Sequence, residues 1–84
     1  MTGYVSLVAQ PCSTEPRYMQ TFQYLQEVES KVLRHPTELA MRYLYGGYAH
    51  LYEGHISKTE KAKHFMMARM AAGLALRESE DGQL

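Results

Sequence analysis

With Cys12 as its one cysteine, the chain can close no internal disulfide, so nothing covalent staples the fold. Net charge is missing too. Nine lysines and arginines balance nine aspartates and glutamates, which removes any global attraction to nucleic acid or to an acidic membrane. Long apolar runs are absent as well: the greasiest stretch, Met66 to Leu76, spans about eleven residues against the roughly 20 that cross a bilayer. The opening MTGYVSLVAQP lacks the basic flank and the apolar length of a secretory signal. These gaps lead to the expectation of a cytoplasmic protein with no membrane contact. Catalytic equipment is equally scarce. There is no carboxylate pair in an apolar setting, no nucleophile beside a base and no glycine-rich loop after a strand. The expectation is therefore a protein that is not an enzyme and needs no cofactor or metal.

What is present is helical periodicity. A chain of 84 residues has room for one domain. Residues 1–13 carry a short β-favouring patch, Tyr4, Val5, Leu7 and Val8, closed by Pro11 with no partner strand, and are expected to form a flexible arm. A first helix is expected from Thr14 to Arg34, capped by Ser13 or Thr14, with Pro16 tolerated in its first turn. Its inward line is Tyr18, Phe22, Leu25, Val28 and Val32, and Pro36 ends it. A second helix should begin at Pro36 or Thr37 and stop at Gly54, a glycine suited to the left-handed position past a helix end. Gly46 and Gly47 sit in its middle, each costing about 1 kcal/mol relative to alanine. That cost implies either a kink there or, the favoured reading, the close approach of a neighbouring helix, for which the alanines and Gly73 of the third helix offer a matching small surface.

The third helix has the clearest start, Ser57-Lys58-Thr59-Glu60, read as a capping box, and should run to Ser79 before a frayed tail over residues 80–84. Its stretch AKHFMMARMAAGLAL, residues 62–76, is apolar almost all round, interrupted by Lys63, His64 and Arg69. So broad an apolar helix needs cover on more than one side. Short connections favour antiparallel neighbours. The fold expected is all-α: a small three-helix up-down-up bundle, or a helical hairpin plus one helix, formed by residues 14–79 between the arm and the tail. The positions Tyr43, Gly47, Ala49, Gly54 and Ile56 resemble the first helix and turn of a tetratricopeptide-type hairpin, over roughly a third of the chain. The resemblance implies a close-packed helical hairpin of a kind that holds peptides.

Tyrosine and methionine carry the functional reading. The chain has seven tyrosines and six methionines, and Tyr43, Tyr45, Tyr48 and Tyr52 fall too close together for one inward stripe. Both residue types suit partner surfaces, tyrosine for its large area with a water-tolerant hydroxyl and methionine for its adaptable shape. The expected contact residues are Tyr45, Tyr48, Tyr52, Met66, Met67 and Met70, with Arg69 as a charge inside the apolar field. The expected function is protein–protein association, as an adaptor, chaperone, inhibitor or regulator of a larger protein, with self-association to a homodimer. The alternative is a nucleic-acid-binding regulator using His55, Lys58, Lys61 and Lys63, which cluster where the third helix's free N–H groups attract anions. A helix-turn-helix reading around Gly54 fits poorly, because lysines and Glu60 occupy the inward positions of the following turn. Two same-face pairs, His50 with Glu53 and Glu60 with His64, have metal-ligand spacing without completing a ligand set.

Overall fold

The computed structural model describes residues 15–83, all three elements being helices: α1 Pro16–Val32, α2 Glu38–Ile56 and α3 Lys61–Asp81. The arm expected over residues 1–13, with Cys12, lies outside the described residues. Among the described residues there is no strand, and no helix is long and apolar enough to cross a membrane. Tyr18 near the start of α1 packs against His55 at the end of α2 and Phe65 at the start of α3, with ring centroids 5.0 and 6.1 Å apart. At the other end, the Ser79 hydroxyl of α3 donates to the carbonyl of His35, just past α1, at 2.9 Å. The helices therefore run up, down and up, each touching the other two.

Each helix buries one stripe. In α1 it is Thr21, Leu25, Val28 and Val32; in α2 it is Ala40, Leu44, Gly47, Leu51 and Gly54; in α3 it is Phe65, Ala68, Ala72, Ala75 and Ser79. The spacing is that of one helix face meeting a core. Three of the five residues of the α3 stripe are alanine, so α2 can lie close to it there. A methyl group on Gly47 would sit 2.8 Å from Leu25 Cδ2 and 3.3 Å from the Ala68 carbonyl oxygen, which is closer than packing tolerates. The close approach expected at Gly47 is thus real. At Gly46 it is not, since a methyl there meets nothing within 4 Å, and Gly73 has only the Tyr24 hydroxyl at 3.7 Å.

The ends depart from expectation for local reasons. Pro16 occupies the first position of α1, where its missing N–H is no loss, and Glu15 stands at the cap without a side-chain bond. Thr37 caps α2 by accepting the Ala40 N–H at 3.0 Å. Gly54 does not end α2. No glycine among the described residues has a positive φ, and α2 continues to Ile56. Gly54 is instead a packing site, because a methyl there would lie 2.6 Å from the ring of Phe65. The Ser57 hydroxyl accepts from the N–H groups of Thr59 and Glu60, but this folds the turn ahead of α3, which begins only at Lys61. At its far end α3 runs two residues beyond Ser79, to Asp81.

Candidate interaction face

The structure separates the seven residues expected to meet a partner into three groups. Tyr48 and Arg69 turn toward α1. The Tyr48 hydroxyl donates to Glu29 Oε1 at 2.6 Å, and Arg69 Nη1 donates to Thr21 Oγ1 at 2.8 Å. Burial above all, then the hydrogen bond to Glu29 and its negative charge, raises the Tyr48 phenol above its ordinary range. Both side chains are used to hold the bundle together, and neither is carried forward as a partner contact. Tyr45 and Tyr52 are 65% and 61% exposed and share the outward side of α2 with Ile56. Met66 and Met70, 50% and 59% exposed, stand on the outer side of α3, with Met67 half-buried beside them.

Of these residues only Met67 and Met70 line a concavity. A groove of about 290 Å³ lies along the seam of α2 and α3 that faces away from α1. Tyr43, Gly46 and His50 form its α2 wall, Met67, Met70, Ala71 and Leu74 its α3 wall, and Arg42 one end. Tyr45, Tyr48 and Tyr52 do not line it. Tyr43, Gly46, His50 and Leu74 were not among the expected contact residues. Sequence signals existed for two of them: Leu74 stands one turn beyond Met70, and Gly46 spends helix propensity in the middle of a helix. The floor of the groove is open where a side chain of almost any other type would fill it.

His50 also fastens the seam. Its Nδ1 lies 3.2 Å from Nδ1 of His64, and the ring centroids are 5.4 Å apart. The centroid separation exceeds the nitrogen separation by nearly a ring diameter, so the two nitrogens point head-on along one line. One imidazole donates and the other accepts. This cross-helix pair was not visible in the same-helix pairs His50 with Glu53 and Glu60 with His64. Among the described residues no group of three histidines, cysteines or carboxylates is placed to hold a metal ion.

The basic set is divided. Lys61 Nζ donates to the carbonyls of Gly54 and His55 at 3.1 and 2.9 Å, satisfying the C-terminal end of α2. His55 Nδ1 is buried with no hydrogen-bond partner, and its ring packs on Tyr18. Lys58 and Lys63 remain outward. Comparison with protein-family models, with curated proteins and with solved structures finds no match to this chain.

Proposed function

We propose that this protein acts without catalysis, by protein–protein association through the groove between α2 and α3. One observation carries the reading. An apolar groove floored by Gly46 runs beside a row of exposed side chains, Met66, Met70 and Leu74, that the chain's own three helices leave uncovered. Methionines adapt to a partner's shape, and a glycine notch admits a foreign side chain close to the backbone. An adaptor, chaperone or inhibitor would use such a face in the same way. Of the four basic groups, Lys61 is hydrogen-bonded to the end of α2 and the His55 ring packs on Tyr18, which supports ranking association above nucleic-acid binding.

A photo-crosslinking amino acid in place of Met70, in cells that make the protein, tests this. Adducts should form from position 70 and not from Gln23, on the solvent side of α1. Gly46→Leu should abolish them by filling the groove, with helicity and melting temperature undiminished. Equal labelling from both positions, or adducts indifferent to Gly46→Leu, would remove the groove as a binding site.

A further inference from the structure

Resting on that reading, we propose that the occupant of the groove is a second copy of this chain, with the two α3 helices antiparallel. The first argument is shape. A twofold interface joins the same patch to itself, so the patch must hold both a projection and a recess. Here the row Met66, Met70 and Leu74 stands directly beside the groove at Gly46, and a twofold rotation lowers each row toward the other copy's recess.

The second argument is charge, and it fixes direction. The outer side of α3 reads Lys63, Met66, Met70, Leu74, Arg77, Asp81, all exposed and at helical spacing. This helix has no acidic residue in its first turn and no basic residue in its last, the reverse of what its own dipole favours. Neither Lys63 nor Asp81 makes an ion pair among the described residues, whose two salt bridges are Arg17 with Glu15 and Arg42 with Glu38. Glu80, by contrast, shares a depression with Lys31 and Arg34 at the end of α1. An antiparallel copy with its twofold axis near Ala72 brings Lys63 opposite Asp81 of the second copy, twice over by symmetry. The same register sets Met70 against Leu74 of the second copy. A parallel pairing would place Lys63 against Lys63 and Asp81 against Asp81.

Sedimentation velocity over a concentration series at low salt provides the test, with circular dichroism confirming the fold of each variant. The wild-type chain should form a dimer. Lys63→Asp should weaken it about tenfold, since attraction turns to repulsion at two symmetric places. Asp81→Lys should do the same, and the two combined should restore most of the affinity. Three results overturn the proposal: a monomer at every concentration, a dimer indifferent to Lys63→Asp, or a double variant no better than either single one. If the chain stays monomeric while position 70 still crosslinks to another polypeptide, the groove keeps its role and the second copy loses it.

Discussion

On the side of the α2/α3 hairpin that meets α1, projecting groups are taken up: Leu25, Val28 and Val32 fill the seam, Glu29 accepts from Tyr48 and Thr21 from Arg69. On the opposite side the same two helices present Tyr43, Gly46, Met67, Met70 and Leu74, and none of the described helices lies over them. Each side carries a tyrosine and a glycine of α2. What differs is that α1 supplies apolar filling and two polar acceptors to one side only. Residues of one type therefore acquire opposite roles: Tyr48 is a bolt and Tyr45 a free surface, Gly47 a contact and Gly46 a vacancy.

That contrast predicts unequal costs. The largest belongs to Phe65→Ala, which empties a fully buried site against Gly54 and Tyr18 and should lower unfolding free energy by about 3–5 kcal/mol. Met70→Ala on the open side should change it by no more than about 0.5 kcal/mol in protein dilute enough to be monomeric. Denaturant titration of both variants checks the pair, and comparable losses would erase the distinction between the two sides.

The neighbouring glycines sharpen it further. Gly47→Ala should destabilise, because strain of about 1–3 kcal/mol at Leu25 and the Ala68 carbonyl exceeds the gain in helix propensity. Gly46→Ala should stabilise by up to about 1 kcal/mol, since nothing stands in the way of its methyl. A melting temperature that falls for both would mean that the groove floor is packed after all.

Tyr48→Phe should cost about 1 kcal/mol at neutral pH by leaving Glu29 without its donor. Its pH dependence carries a sign. The folded state favours the neutral phenol, so the contribution of Tyr48 is fully present below the unfolded-state value near 10, and is lost as pH rises above it. Alkaline destabilisation should accordingly be shallower in Tyr48→Phe than in the wild type, as measured by unfolding at stepped pH. The smallest effect belongs to Glu38→Gln. Its 2.9 Å bridge to Arg42 is exposed, and the loss should be roughly 0.5 kcal/mol, shrinking as salt is added.

The three helices, their order and the inward line of α1 were legible in the sequence, because apolar spacing and the breaks at Pro36 and Ser57 are local signals. The start of α2 at Thr37 was read correctly, whereas its end and the start of α3 were misjudged at Gly54 and Ser57. Gly54 has the composition of a helix stop, yet Phe65, eleven places further on, uses it as a seat. Ser57 has the composition of a cap, yet its hydroxyl serves the preceding turn. Of the expected contact residues, Met67 and Met70 line one groove and Met66 stands exposed on the same helix, while Tyr48 and Arg69 are hydrogen-bonded to α1.

By itself the sequence determined which stretches are helical and which face of α1 is apolar, since both follow from residues within a few turns of one another. It also carried the surplus of apolar side chains on α3. Only the tertiary structure decided where that surplus lies, which tyrosine is bonded and which is free, and that His50 meets His64. Those outcomes depend on how three helices divide the surface between them, and a side chain's neighbours across a helix interface leave no mark in the spacing of its own helix.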